Sequence, residues 1–200
     1  PGDWAEFYAE SCSQDEDPDL RVKACLALIK EGTLGAGDLA LAHVYIGQVS
    51  EALGKSEFAA KRKESAEKNI KSALNHYALA IKADMKNPIG YAEIGRVLIA
   101  AKKYDQAELW LRKGEQAAPS SRLICERLVL LNEQKGDTAA RDEQSTRCEQ
   151  LPKDNPFPKI KAGGAQAKAP PSNTKSADAT PAAKPTVKQR FDTGEKVHVR

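Results

Sequence analysis

The chain has 200 residues, of which 40% are hydrophobic, 6% are aromatic and 30% are charged, and its formal net charge is +3. This length suits one domain with an appendage, and the many Ala, Lys, Glu and Leu residues favour helices over strands. No run of about 18 apolar residues occurs, so the sequence predicts no membrane-spanning helix. The composition predicts an all-α protein.

Residues 1–36 predict two N-terminal capping helices. The first covers residues 4–11. The second begins at Asp17 and Pro18, because an aspartate caps the unpaired N–H groups of a helix start and proline suits its first position. Gly32 ends this helix. The aromatic residues that we expect to pack onto the following helices are Trp4, Phe7 and Tyr8.

Residues 37–87 predict a long helical hairpin. Its two helices are separated by extra residues, "GKSEFAAKRKESAEK", at 54–68. Apolar residues at helical spacing continue from this stretch into the second helix, which predicts an elongated second helix rather than a floppy insertion. The members of this stripe are Phe58, Ala66, Ile70, Ala73, Tyr77 and Ala80.

Residues 88–121 give the clearest internal pattern, in "NPIGYAEIGRVLIAAKKYDQAELWLRKGEQAAP". Apolar and small residues recur at helical spacing on both sides of "KKYDQ", which predicts a second helical hairpin. Gly95 and Ala107 are small, as expected where two antiparallel helices cross closely. Pro119 ends the second helix.

This pattern resembles the tetratricopeptide repeat (TPR) family, whose unit of about 34 residues is a helical hairpin. With Pro88 as the first position, six residues match the family pattern: Tyr91, Ile94, Gly95, Tyr104, Ala107 and Pro119. Three further positions are substituted: Leu98, Leu111 and Gly114. The resemblance implies a TPR-like right-handed α-solenoid of antiparallel helix pairs over residues 37–152.

Residues 122–152 continue the same frame as a third repeat, with Gly136 and Asp137 at its turn. Val129 and Arg141 replace the small residues that the family has at these positions. Terminal repeats are often irregular because they cap the stack against water, so we interpret this unit as a capping repeat.

Four cysteines lie near the two ends of the predicted helical part. Cys12 follows the leading helix and Cys25 faces inward on the next one, while Cys125 and Cys148 lie near each other at the open end of the last hairpin. This placement predicts two disulfides that tie down the ends of the stack. Four ordinary buried thiols are the alternative, and four cysteines allow three connectivities.

The stretch "DPDLRVKACLALIKEGTLGAGDLALAHVYIG", with the cysteine before it, is similar to the N-terminal part of exported TPR proteins of Gram-negative bacteria. The matching residues are Cys12, Asp17, Ala24, Cys25, Ile29, Gly32, Asp38, Leu39, Ala40 and Ala42. The resemblance implies a periplasmic or secreted protein whose signal peptide has been removed. A cytoplasmic protein with reduced cysteines is the alternative.

Residues 153–200 predict a disordered basic tail rich in Ala, Pro and Lys. From Pro152 onward there are ten Lys or Arg residues against four Asp or Glu, which gives +6, so the remainder of the chain carries −3. We expect a solvated tail, and contact with an anionic surface is the sharper hypothesis. No specific nucleic-acid binding is expected.

The sequence contains none of the motifs that carry common enzymatic chemistry: no nucleophile elbow, phosphate loop, dinucleotide fingerprint or paired catalytic carboxylates. His43, His76 and His198 lie on separate predicted elements and are expected to be structural. No CxxC motif or Cys/His cluster is present, so we expect no metal site. The chain is expected to be no enzyme and to need no cofactor.

The TPR resemblance implies a concave groove that binds a peptide or a partner helix. Such a protein is a non-enzymatic interaction scaffold, and its partner is not identified by the sequence. The alternatives are a self-associating structural protein of the cell envelope, an enzyme of unrecognised type, and a groove covered by the long second helix or by the tail. The residues expected to line the groove are Leu41, Val44, Gln48, Ile89, Ala92, Arg96, Ile99, Leu123, Glu126 and Leu130.

Overall fold

The computed structural model describes residues 4–153 and 157–161 of the chain, and all regular secondary structure in these two ranges is helical. The predicted all-α class is therefore confirmed. The predicted disorder of residues 162–200 lies outside the described residues. The helices are α1 (Trp4–Gln14), α2 (Pro18–Glu31), α3 (Ala36–Ala59), α4 (Lys63–Ala83), α5 (Pro88–Ala100), α6 (Tyr104–Ala117), α7 (Arg122–Lys135) and α8 (Thr138–Glu149).

Most helix ends follow from local capping chemistry. The Asp17 side chain accepts hydrogen bonds from the first free N–H groups of α2, as predicted, and Asn87 and Ser121 do the same for α5 and α7. Gly32 and Gly136 end α2 and α7 at φ values of 68° and 76°, a left-handed conformation that glycine adopts without strain.

The helices pack in chain order. α1 contacts α2, α3 contacts α4, α5 contacts α6 and α7 contacts α8, and each of these pairs also contacts the helix that follows it. The odd-numbered helices further contact one another, α1 with α3, α3 with α5 and α5 with α7. Among the described residues, the even-numbered helices pack only on their neighbours in the chain, apart from an ion pair between Arg147 of α8 and Glu115 of α6. The odd-numbered helices therefore run through the centre of the core.

Glycines lie where two paired helices cross most closely. A Cβ atom built on Gly47 of α3 would lie 2.5 Å from Cε1 of the Tyr77 ring of α4. A Cβ atom built on Gly95 of α5 would lie 2.6 Å from Cγ of Leu111 in α6. Ala107 is fully buried on the same side of α6 as Leu111. The small residues at these crossings therefore allow the close approach that the sequence predicted.

The long hairpin differs from the prediction in how it uses its extra residues. α3 continues to Ala59 and α4 begins at Lys63, so the extra residues lengthen both helices and not the second one alone. Phe58 consequently belongs to α3, and its side chain is 71% exposed. The turn between the helices is tight because Lys61 adopts a left-handed φ of 59° and Arg62 pairs with Glu57.

The leading helix α1 is longer than predicted and is oriented differently. Tyr8 packs against the core, but Trp4 and Phe7 are 41% and 56% exposed, so the prediction that these two residues pack down is wrong. The reason is that small residues spaced at helical intervals face the core and bring the α1 backbone close to it. These residues are Ala5, Ala9 and Cys12.

Both predicted disulfides are present. Cys12 and Cys25 join α1 to α2 with a Cα–Cα distance of 4.7 Å, and Cys125 and Cys148 join α7 to α8 with a Cα–Cα distance of 5.6 Å. None of the four cysteines is free. Each disulfide therefore fastens one terminal helix of the described chain to its partner helix.

Candidate functional site

Three of the residues predicted to line the groove surround one cavity near the beginnings of α3, α5 and α7. Leu41, Ile89 and Leu123 line this cavity, which has a volume of about 500 Å³ and which we call the odd-helix cavity. Each of these side chains is more than nine-tenths buried. Residues that the sequence placed at equivalent positions of three predicted repeats therefore lie around one cavity.

Residues 157–161, which we call the docked segment, form one side of the odd-helix cavity. They lie within the region 153–200 that was predicted to be a disordered tail, yet they are fixed to the helices through their own main chain. The hydrogen bonds run from the Tyr45 hydroxyl to the Pro158 carbonyl oxygen (2.6 Å), from the Ile160 N–H to Ser13 Oγ (3.0 Å), and from the Lys161 N–H to the Asp38 carboxylate (3.2 Å).

Two apolar side chains of the docked segment add to these main-chain contacts. Ile160 is only 5% exposed and belongs to the hydrophobic core. Phe157 is half-buried and packs against that core. Residues 157–161 of the predicted tail therefore lie against part of the predicted groove, next to Leu41, Ile89 and Leu123.

Arg21 of α2 positions the groups that hold the docked segment. Its guanidinium lies 4.8 Å from the centre of the Tyr45 ring. It also donates to the main-chain oxygens of Cys12 and Ser13, at 3.0 and 2.9 Å. Burial raises the pKa of the Tyr45 hydroxyl, which keeps it protonated and able to donate to the segment. The end of α1, next to the first disulfide, is thus a rigid part of this site.

A buried charge cluster connects the odd-numbered helices farther along. Arg96 of α5 donates to the carboxylate of Glu51 in α3, at 2.8 Å, and to that of Glu93 in α5, at 2.7 Å. Arg127 of α7 approaches Glu93 at 3.5 Å, and the Tyr77 hydroxyl of α4 donates to Glu51 at 3.1 Å. Both carboxylates are almost completely buried. The cluster therefore braces α3, α4, α5 and α7 against one another.

The protonation states of the cluster follow from these contacts. Burial alone would raise the pKa of Glu51, but the hydrogen bonds from Arg96 and Lys55 outweigh it and lower the pKa to about 2. Burial tends to lower the pKa of Arg96, and its two carboxylate partners raise it more strongly. The pKa of Tyr77 is raised, first by burial and then by the charge of Glu51. Arg96, predicted as the cation of the groove, is therefore charged but already paired.

His43 and His76, predicted to lie on separate elements, meet between α3 and α4. Their Nδ1 atoms are 3.3 Å apart, so one ring nitrogen can donate to the other when both rings are neutral. Burial, together with the charge that His76 would carry, lowers the pKa of His43 to about 4. Burial also lowers the pKa of His76. At neutral pH this pair is an uncharged contact within the core.

Several of the other predicted groove residues lie inside the protein. Val44 and Ala92 are fully buried, and Ile99 is 5% exposed. A partner that binds on the surface does not reach these side chains, because the neighbouring helices cover them. All three belong to the hydrophobic core.

The remaining predicted groove residues lie away from the odd-helix cavity. Gln48 lines a separate cavity of about 360 Å³ between the α1–α2 turn and α3. Glu126 is exposed and pairs with Arg122 at 2.9 Å. Leu130 is half-buried and packs against the core. The structure thus brings together only part of the predicted set.

Three residues that hold the docked segment were not predicted from the sequence: Ser13, Asp38 and Tyr45. A serine, an aspartate or a tyrosine on a helix does not by itself indicate a binding role. The docked segment could have been recognised in the sequence, because Phe157 and Ile160 are the only large apolar residues between Pro152 and Val187. Two such residues at the start of an apolar-poor tail indicate a segment that packs.

Comparison with known proteins gives no relative. No protein-family model, no curated protein and no solved structure matches the chain. In the part of the chain that the structure describes, no helix is long and apolar enough to cross a membrane. The same residues contain no group of three or more His, Cys, Asp or Glu side chains suited to a metal ion.

Proposed function

We propose that this protein is a non-enzymatic interaction scaffold that binds an extended peptide across the beginnings of its odd-numbered helices. In this proposal the helix pairs form a TPR-like right-handed α-solenoid. The packing of each helix only on its near neighbours supports that architecture. The two disulfides support a periplasmic or secreted location, because disulfides persist in oxidising compartments.

The docked segment is the observation that carries the proposal. Side chains of α1 and α3 hydrogen-bond to its main chain, and the helices bury one of its side chains and partly bury another. Contacts to main-chain groups give affinity for many sequences, and contacts to alternate side chains give specificity. The chain's own segment therefore supports the proposal that this surface accepts an extended peptide.

The contacts define the chemistry of a partner peptide. Phe157 and Ile160 are three residues apart, with Pro158 between them to favour an extended backbone. The odd-helix cavity remains beside the segment, and its volume of about 500 Å³ leaves room for further partner side chains. We expect an extended partner peptide with two large apolar residues at this spacing and a proline between them.

A partner must compete with the docked segment. A segment attached by a short linker acts at an effective concentration on the order of millimolar. A partner peptide therefore binds the free surface tightly and the natural chain more weakly. This competition gives a direct experimental signature.

The experiment measures binding of a labelled synthetic peptide, FPKIK, to two forms of the full chain. One is the natural protein, and the other carries Phe157→Ser and Ile160→Ser, which remove the apolar anchors of the docked segment. We expect the peptide to bind the double variant at least about tenfold more tightly, because the competing segment has been released. A peptide with serine in place of Phe and Ile should not bind.

A matched variant tests the geometry. In the same background, Tyr45→Phe removes the hydroxyl that donates to the Pro158 carbonyl and leaves the ring in place. The loss of one such hydrogen bond, about 1 kcal/mol, weakens the peptide about fivefold. Leu109→Ser, at an exposed position on α6, should leave binding unchanged. Failure of the peptide to bind the double variant, or equal binding with Tyr45→Phe, would contradict the proposal.

A further inference from the structure

An apolar cleft lies at the far end of the long hairpin, where it extends past the next helix pair. α3 has 24 residues and α4 has 21, but α5 and α6 have only 13 and 14. The last turns of α3 and the first turns of α4 therefore extend past the end of α5. They enclose a cleft of about 560 Å³ against the end of α5, which we call the overhang cleft and which is lined by Gly54, Phe58, Ile70, Leu74, Val97 and Ala101, among others.

The overhang cleft is apolar inside and basic at its rim. Phe58 is 71% exposed and lies next to the apolar lining of the cleft, so the two form one continuous apolar surface. Lys55 and Lys71 line the cleft together with Glu51 and Glu67, and Glu51 is already paired with Arg96 and Lys55. The excess of positive charge lies around the cleft, because residues 55–71 carry six Lys or Arg against three Asp or Glu. Two further exposed lysines follow Ala101 in the α5–α6 turn. The cleft is therefore suited to an apolar group that carries negative charge around it.

A second exposed apolar surface has the opposite charge. Trp4 and Phe7 on α1, which we call the aromatic edge, are 41% and 56% exposed, and their ring centres are 6.0 Å apart. Glu6 and Glu10 are exposed on the same helix. The first 20 residues contain seven Asp or Glu and no Lys or Arg. The aromatic edge is thus an apolar surface in acidic surroundings.

We propose that the aromatic edge of one copy of this protein inserts into the overhang cleft of a second copy. Each surface supplies what the other lacks: aromatic side chains with acids on one side, an apolar cleft with lysines on the other. Tryptophan and phenylalanine each bury a large area on insertion, which makes them effective anchors at the centre of an interface.

The same copy cannot supply both surfaces to itself. The α1–α2 turn, at Asp15 and Glu16, lies beside Leu53 of α3, near the overhang cleft. From that turn the 11 residues of α1 lead away over about 16 Å to Trp4. The disulfide between Cys12 and Cys25 fixes α1 in this position.

The basic C-terminal region is a poor occupant of the overhang cleft. Residues 162–200 contain seven Lys or Arg against three Asp or Glu, the same sign as the rim of the cleft. Two surfaces of like charge repel each other when they are brought together. The acidic N-terminal helix of a second copy is therefore the better match within this chain.

The contact is head-to-tail, because it joins two different surfaces. Two copies joined in this way still have one free aromatic edge and one free cleft between them, so further copies can add until a ring closes or an open chain forms. Its electrostatic part is screened by salt, so assembly weakens as ionic strength rises. The contact does not involve the odd-helix cavity, and it is independent of the peptide-binding proposal.

Sedimentation velocity of the full chain, from micromolar to millimolar concentration and at low and high salt, tests this inference. The natural protein should form dimers and larger species as concentration rises. Phe58→Ser removes the anchor of the cleft, and Trp4→Ser with Phe7→Ser removes the aromatic edge. Each change should weaken assembly at least about tenfold. All three positions are exposed, so circular dichroism should show unchanged helicity.

Mixing the two variants gives the decisive result. Each variant retains one intact surface, so the mixture should form a one-to-one dimer that cannot grow, while either variant alone stays monomeric. Leu109→Ser, equally exposed but outside the cleft, should assemble as the natural protein does. The inference is overturned if the natural protein stays monomeric at millimolar concentration, if Phe58→Ser assembles normally, or if the mixture forms no dimer. Peptide binding in the odd-helix cavity should be unaffected by Phe58→Ser.

Discussion

Removal of the disulfide between Cys125 and Cys148 should release the last helix before the rest of the protein unfolds. α8 buries only Gln144 and Cys148, so it has little apolar contact of its own. Its attachment to α7 therefore depends mainly on the covalent bond. We expect a variant with Cys125→Ala and Cys148→Ala to keep α1 to α7 folded and to lose α8.

The magnitude follows from the loop that the disulfide closes. The two cysteines are 23 residues apart, for which the chain-entropy relation gives about 3.4 kcal/mol. The first disulfide closes a separation of 13 residues and gives about 3.0 kcal/mol. Either value is a large fraction of the roughly 5–15 kcal/mol by which a domain is stable. Alanine replaces cysteine in this variant because serine would place an unpaired hydroxyl in a buried site.

Hydrogen exchange followed by mass spectrometry, together with urea unfolding, measures this effect. Amide protection should disappear between Thr138 and Glu149 and persist in α3 to α6. The matched control replaces Cys12 and Cys25 by alanine, which should loosen α1 and leave α8 protected. The reasoning is refuted if α8 stays as protected in the variant as in the natural protein and the stability changes by less than about 0.5 kcal/mol.

Three further predictions concern the core. The pKa of His43 falls from 6.5 to about 4 on folding, so protons bind the unfolded chain more tightly than the folded protein. The free energy of unfolding, measured with urea, should therefore be highest above about pH 6.5 and should decrease by up to about 3 kcal/mol towards pH 4. The decrease should be smaller in the variant His43→Gln. Gly95→Ala should lower the free energy of unfolding by up to about 2 kcal/mol, because the added methyl group overpacks against Leu111. Leu111→Ala should lower it less in the Gly95→Ala protein than in the natural protein. Arg96→Ala leaves two buried glutamates without their main partner, so it should lower the free energy of unfolding, measured by thermal unfolding, by about 3–5 kcal/mol. Arg96→Lys should lower it less, because lysine keeps the charge but not the two-pronged hydrogen bonding of arginine.

Much of the fold could be read from local signals. Asp17, Gly32 and Pro88 mark helix ends because capping depends on residues within one turn. The spacing of apolar residues predicted the helix pairs, since one helical face repeats every three or four residues. The end of α3 has no capping residue in the sequence, so its length could not be predicted from local residues. In the structure the tight turn at Lys61 divides the extra residues at 54–68 between α3 and α4.

The candidate site was predicted less completely than the fold. Leu41, Ile89 and Leu123, which the predicted repeat frame placed at equivalent positions, do line one cavity. The same frame included Val44 and Ala92, which neighbouring helices bury. Periodicity identifies the inward face of a helix, but it does not distinguish residues that line a groove from residues that lie beneath it.

The sequence by itself determined that the chain is helical, where several helices begin or end, and that the N-terminal helix is acidic, and it predicted two disulfides while leaving other pairings open. Each of these depends on nearby residues or on overall composition. Only the tertiary structure decided that the docked segment lies on α1 and α3, through hydrogen bonds between residues 113 and 147 positions apart. It also decided that Arg96 is neutralised by Glu51 and that His43 faces His76. Contacts of this kind depend on the relative placement of whole helices, for which no local pattern of residues is sufficient.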